Sequence, residues 1–181
     1  AADAYPLRVE ARITGAGSLP AWQVRGGRAD AALGASVATA GDVNGDGHSD
    51  VIVGAPGFDG GQASEGSAFV FLGSANGMSI VPAWKGESNR PNARFGESVS
   101  TAGDVDADGF SDVVVGAPGM RISPSAPATG AAYLWQGSAD GLGVDGTPDN
   151  ADWAASGREE HAAFGTSVAV AGDVNGDGYS D

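Results

Sequence analysis

LGASVATAGDVNGDGHSDVIVGAPG, Leu33 to Gly57, holds an acidic nine-residue string between two apolar runs, and the chain repeats it. The second copy is FGESVSTAGDVDADGFSDVVVGAPG, Phe95 to Gly119, and a third, FGTSVAVAGDVNGDGYSD, runs from Phe164 to Asp181. Within each copy, oxygen-bearing residues alternate with others. Asp42, Asn44 and Asp46 take positions one, three and five of the first string, the His48 carbonyl position seven, and Asp50 position nine. The second string offers Asp104, Asp106, Asp108, the Phe110 carbonyl and Asp112; the third offers Asp173, Asn175, Asp177, the Tyr179 carbonyl and Asp181. Hard divalent cations take several oxygen ligands from a tightly curved segment, so the strings read as calcium loops with a carboxylate closing each at position nine. Glycine recurs at position six (Gly47, Gly109, Gly178), where positive φ lets the backbone bend around an ion.

Asp, Asn and Gly also make ordinary turns. Three copies with one ligand parity favour the metal reading over that one. An EF-hand is excluded, because its loop needs an acidic residue at position twelve and Val53 and Val115 stand there. Val51-Ile52-Val53 and Val113-Val114-Val115 follow the closing Asp, and such β-branched runs predict a strand.

The repeat extends beyond the loops. Leu33-Gly34, Phe95-Gly96 and Phe164-Gly165 fall in register before them, and Trp22, Trp84 and Trp153 fall in register before those. Four strands are expected per complete unit, at about 35–40, 50–55, 67–72 and 78–84 in the first, with the acidic loop joining the first two. The small residues of the first strand (SVATAG, SVSTAG) suit a crowded position where sheets converge on an axis. A sandwich would not demand near-identical units with fixed Leu/Phe-Gly and Trp offsets. The fold class expected is all-β, with propeller blades of four antiparallel strands.

Phe-Gly, the acidic loop and Gly-Ala-Pro in combination resemble the FG-GAP repeat of integrin α-chain β-propellers and of related secreted bacterial proteins. The resemblance covers about 22–181 and implies one four-stranded blade per repeat of a seven-bladed propeller, with calcium in the hairpin loop. Leu33 departs from the Phe, and the third copy reaches no Gly-Ala-Pro. Two and a half repeats do not close a propeller, so the array is expected to be an incomplete piece that packs against further blades. The expected divisions are 1–20 (a leading region with a strand in YPLRVEARI, Tyr5 to Ile13), 21–83 and 84–152 (two repeats) and 153–181 (a truncated third). The third loop, without a following strand, is expected to be the weakest calcium site.

Composition narrows the function classes. With 23 acidic against nine basic residues and a formal charge of −14, the chain lacks the Lys and Arg clusters that nucleic acid or an anionic membrane requires. Ten of those acids lie in the three loops, so much of the charge is explained by a cation requirement. Thirty-one glycines without a collagen period fit a β protein rich in turns. There is no cysteine, hence no disulfide, thiolate metal site or cysteine nucleophile, and no apolar run long enough to span a bilayer. Calcium loops of millimolar to submillimolar affinity suit an extracellular setting.

No catalytic constellation is legible. His48 holds a position where only the carbonyl serves the loop, as Phe110 and Tyr179 indicate. His161, in SGREEHAAFG beside Glu159 and Glu160, reads as part of a polar connector rather than as an acid–base group. Ser49, Ser111 and Ser180 precede the closing Asp in every copy and read as repeat features, not nucleophiles. Trp22, Trp84 and Trp153 read as packing between blades rather than as sugar platforms, and Trp135 as core. The expected function is non-catalytic: a calcium-binding extracellular module for recognition, adhesion or scaffolding, with an unknown protein or glycan ligand read by loops such as 58–65 and 120–129. The alternative is that these are accessory or scaffold blades of an exported hydrolase or lyase, which fold alone does not exclude.

Overall fold

The computed structural model describes residues 8–9, 22–27, 29–121, 123 and 125–181. Among them the architecture is all-β, with one short 3-10 turn at Ala29–Ala31 and no α-helix. Strands β1 (Arg8–Val9) and β2 (Val24–Arg25) pair antiparallel. The remainder of the strand expected at 5–13 lies outside the described residues. Next comes a four-stranded sheet of β3 (Ser36–Gly41), β4 (Asp50–Ala55), β5 (Ser67–Phe71) and β6 (Trp84–Glu87), neighbours in chain order. A second sheet repeats it with β7 (Ser98–Gly103), β8 (Asp112–Ala117), β9 (Ala131–Trp135) and β10 (Trp153–Ser156). All these pairings are antiparallel, as expected of a meander joined by short loops.

Both sheets carry the same irregularity. Ser36 to Thr39 pair one-to-one with Gly54 to Val51, the register then shifts, and Gly41 faces Asp50. Thr101, Gly103 and Asp112 reproduce it. This bulge delivers the chain into the acidic loop at Asp42 or Asp104, so strand register fixes where both ends of the loop begin.

Side-chain alternation then builds two layers of core. Along β4 and β5, Ile52, Ala68 and Val70 face the second sheet, while Val53, Phe69 and Phe71 face the opposite way. The first layer joins Ile52, Val70 and Trp84 to Phe95, Val113, Val115, Tyr133 and Trp135. The second is covered by Trp22, Val24, Leu33, Phe58 and Met78. The two sheets therefore stack face to face as successive blades, with middle strands buried on both sides.

The Phe-Gly and Gly-Ala-Pro motifs interlock across that stack. A Cβ on Gly54 would lie 2.0 Å from the Gly96 carbonyl oxygen, and one on Gly116 would lie 1.9 Å from that of Gly165. Only glycine permits this approach. Phe95 itself is wholly buried, with its ring 6.2 Å from Tyr133 and 5.8 Å from Trp135.

The fourth strand differs from the sequence expectation of 78–84, beginning at Trp84 and ending at Glu87. Ser79 Oγ accepts the Val81 amide and donates to the Val81 carbonyl, which closes a turn just before Pro82, a residue with no amide hydrogen to give. Only the amides of Ser79 and Ala83 reach back, to Leu72 and Val70. The Trp-led strand thus completes the sheet of the preceding loop, and a sequence unit starting at Trp84 is offset from a sheet by one strand. Small residues of β3 do allow close contact with the neighbouring sheet, where Ser36 Oγ accepts the Val99 amide at 3.0 Å, yet Val37 remains 59% exposed.

Candidate metal loops

Each acidic string is a hairpin loop whose ligand candidates are organised by the loop's own amides. In the first, Asp42 Oδ1 and Asn44 Oδ1 accept the same amide, that of Asp46, at 3.1 and 3.2 Å. Asp42 Oδ2 accepts from Gly47 at 2.8 Å, and Asp46 Oδ1 accepts from His48 at 2.9 Å. The second loop matches it bond for bond: Asp104 Oδ1 and Asp106 Oδ1 accept from Asp108, Asp104 Oδ2 from Gly109, and Asp108 Oδ1 from Phe110. Asp104, Asp106 and Asp108 each bring a carboxylate oxygen to within 4.8 Å of the others. This is donor chemistry suited to a hard cation, because an exposed group of like charges is costly without one and all the ligand atoms are oxygens.

Asp50 and Asp112 differ from the other acids. Both are fully buried. Asp50 Oδ2 accepts the Val43 amide at 2.9 Å and Oδ1 accepts the Gly73 amide at 2.8 Å; Asp112 accepts from Val105 at 2.7 Å and Gly137 at 2.8 Å. The closing residue therefore pins the loop entry and the start of the next connection, a structural duty the sequence did not reveal. A carboxylate has about four lone-pair sites, so both oxygens keep capacity for an ion. Asp112 is not part of that close carboxylate trio. Burial pushes both carboxyls above their ordinary value; the amide bonds pull the other way, and repulsion from the loop's other acids adds to the rise.

The third loop takes the same shape. Asp173 Oδ1 and Asn175 Oδ1 accept from Asp177, Asp173 Oδ2 from Gly178, and Asp177 Oδ1 from Tyr179. Asp181 Oδ2 accepts the Val174 amide at 2.8 Å, and the Asp181 amide donates to Gly172. Loop shape is thus local, and Asp181 is exposed where Asp50 and Asp112 are buried.

The loops also touch one another. Ser111 donates its amide to the Asp42 carbonyl at 2.9 Å while its Oγ accepts the Asp42 amide at 3.2 Å, and the Ser180 amide donates to Asp104. Recurrence of serine at position eight was visible in the sequence; its contact with the preceding loop was not.

Trp22 and Trp84 pack as the repeat register implies, and Trp153 does not. Trp84 is 2% exposed, stands edge-on to Trp135 at 5.2 Å, and donates Nε1 to the Val144 carbonyl. Trp22 repeats the arrangement on Phe71 at 5.3 Å and donates to Ser79. Trp153 is 51% exposed.

A family model for the FG-GAP repeat matches residues 33–71 and 95–135. The chain carries FG-GAP repeats. Similar proteins include integrin alpha-4 of Xenopus laevis, 34% identical over 152 residues, and integrin alpha-V of Gallus gallus, 36% identical over 155. Both alignments cover 82% of this chain and 14% of the relative. Integrin alpha-PS5 of Drosophila melanogaster is 38% identical over 97 residues, half of this chain and 9% of the relative. The FG-GAP chain thus spans about one seventh of the length of its longer matches. Both matched segments run from the Leu33 or Phe95 position through the acidic loop to the third strand of a sheet, which places the candidate ligands of the first two loops inside the repeat.

Outside the loops, His161 is exposed and 3.4 Å from Glu160 on the surface. The segment 58–65 holds a residue the sequence reading passed over: Glu65 is fully buried, and its Oε1 accepts amides from Gly60 and Gln62, shaping the turn. In 120–129, Arg121 donates to the Ala126 carbonyl.

Proposed function

We propose that this FG-GAP chain is a calcium-binding extracellular β-propeller module that serves recognition, adhesion or scaffolding and carries no catalysis of its own. The observation that carries the reading is the repeated oxygen-only loop. Asp42, Asn44, Asp46, Asp50 and the His48 carbonyl would hold one ion; Asp104, Asp106, Asp108, Asp112 and the Phe110 carbonyl a second; Asp173, Asn175, Asp177, Asp181 and the Tyr179 carbonyl a third. An ion held by these residues would neutralise the loop carboxylates and tie the two strands of the hairpin together. Similarity to integrin alpha chains supports an adhesive or recognition role, with a protein or glycan as ligand. Among the described residues no helix is long and apolar enough to cross a membrane.

Further blades are the expected neighbours. Trp153, Phe164 and Val174 are 51%, 41% and 70% exposed, whereas Trp84, the counterpart of Trp153, is covered by the next sheet. A covering blade would bury them in the same way.

Thermal unfolding in calcium against chelator tests the reading. A ligand that binds only the folded state adds about 2.7 kcal/mol per site at a hundredfold excess over its dissociation constant. Magnesium, which holds its waters and demands a smaller octahedral site, should substitute poorly. His48→Ala should keep the response and Asp46→Ala should remove that of the first loop. An unchanged melting temperature would remove calcium from the function.

A further inference from the structure

The serine at position eight does more than fill a turn. At the first junction Ser111 grips both backbone polar groups of Asp42, the first ligand candidate of the preceding loop: its amide donates to the Asp42 carbonyl and its Oγ accepts the Asp42 amide. The fit is close, because a Cβ on Gly41 would lie 2.2 Å from Ser111 Oγ. The second junction repeats the amide half of the contact, with the Ser180 amide donating to the Asp104 carbonyl at 3.0 Å, and Ser180 Oγ fills the space at Gly103. Phe110 adds to the first junction by lying over Gly45, where a Cβ would stand 2.5 Å from its ring.

Ser111 also sits between two ligand candidates of its own loop, the Phe110 carbonyl and Asp112. An ion that draws those two groups together fixes the backbone on both sides of Ser111. Ser111 in turn fixes Asp42.

We propose that Ser111 and Ser180 are positioning residues that couple adjacent metal loops, so that an ion in one loop preorganises the first ligand of the loop before it. The proposal rests on the calcium reading above. Linkage makes the effect mutual: an ion in the first loop tightens the second by the same factor. The junction is one short backbone-to-serine contact, and a coupling worth one hydrogen bond of ordinary net strength corresponds to a change of about three- to tenfold in affinity. The array would then fill over a narrower calcium range than isolated loops.

The test is a calcium titration followed by two-dimensional amide NMR, with Gly47, Gly109 and Gly178 reporting on their own loops. Asp106→Ala empties the second loop by removing an exposed side chain. The expected result is that the Gly109 response is lost and the midpoint at Gly47 rises about three- to tenfold. Ser111→Ala should raise the Gly47 midpoint too, and adding Asp106→Ala to it should shift Gly47 by less than Asp106→Ala shifts the parent. A purely structural serine would leave that dependence undiminished. Asp177→Ala, read at Gly109, repeats the ligand arm of the test at the second junction should Ser111→Ala not fold, and a Gly109 midpoint it leaves unmoved overturns the coupling there. A Gly47 midpoint unmoved by Asp106→Ala, or an undiminished dependence without the serine hydroxyl, overturns the coupling alone. Absence of any calcium response at the three glycines of the parent overturns the calcium reading and the coupling with it.

Discussion

Asp50→Ala separates the two duties that the structure gives to the closing acid. Its carboxylate accepts amides from Val43 at 2.9 Å and Gly73 at 2.8 Å in a fully buried setting. Hydrogen bonds to a charged group contribute about 1.5–3 kcal/mol each, so the pair contributes about 3–6 kcal/mol. Burial of the charge, which raises the carboxyl's pKa, offsets part of that, leaving a net loss on truncation of about 2–4 kcal/mol. For a chain of this length that lowers the melting temperature by about 4–16 °C, without any metal present. Asp46→Ala removes an exposed ligand candidate and should shift the metal-free midpoint by only about 2 °C. Thermal unfolding by far-ultraviolet circular dichroism in chelator compares the two; in calcium both should lose the first loop's stabilisation. Equal metal-free melting temperatures for the two variants would refute the pinning role of Asp50.

Trp84→Ala should cost about 3–5 kcal/mol, because it empties a site that is 2% exposed against Trp135, whereas Trp153→Ala should cost below about 1 kcal/mol; urea unfolding yielding similar values would contradict face-to-face stacking of the two sheets. Ala107 holds φ of 58° where the other loops carry Gly45 and Gly176, so Ala107→Gly should stabilise the metal-free chain by about 1 kcal/mol, and a destabilised variant in the same assay would count against strain at that position. Asp50 and Asp112 have carboxyl pKa values raised above the ordinary 3.8 by burial. Without metal, their contribution is fully present below the unfolded value and is lost as pH rises through the higher folded one, so Asp50→Asn should flatten the fall in stability between acid and neutral pH; an unaltered slope would show that this carboxyl does not carry it.

Much of the fold was legible because the repeat states it three times. The β-branched runs after Asp50 and Asp112, the Gly-Ala-Pro turns and the registered tryptophans specify short strands and their packing, and β4 and β8 begin at the residues expected. The last strand of the first sheet was misplaced by its own turn chemistry: Ser79, Val81 and Pro82 form a bend inside an otherwise apolar run, and periodicity alone does not separate bend from strand. Oxygen parity identified Asp42, Asn44 and Asp46 as one group, and their amide-shared geometry is what such alternation produces. The pinning by Asp50 and the grip of Ser111 on Asp42 depend on contacts with Gly73 and with the neighbouring blade, which no local pattern encodes. Glu65 escaped for a different reason: its amide partners Gly60 and Gln62 are close in sequence, but an acid that folds a turn around itself reads like any solvated loop acid.

The most direct measurement is a crystal structure of the chain grown in calcium, with anomalous scattering used to locate the ion. The prediction is a peak inside the 42–50 loop and another inside the 104–112 loop, each about 2.3–2.6 Å from the side-chain oxygens at positions one, three, five and nine and from the carbonyl at position seven. Loops that hold only water in saturating calcium would contradict it.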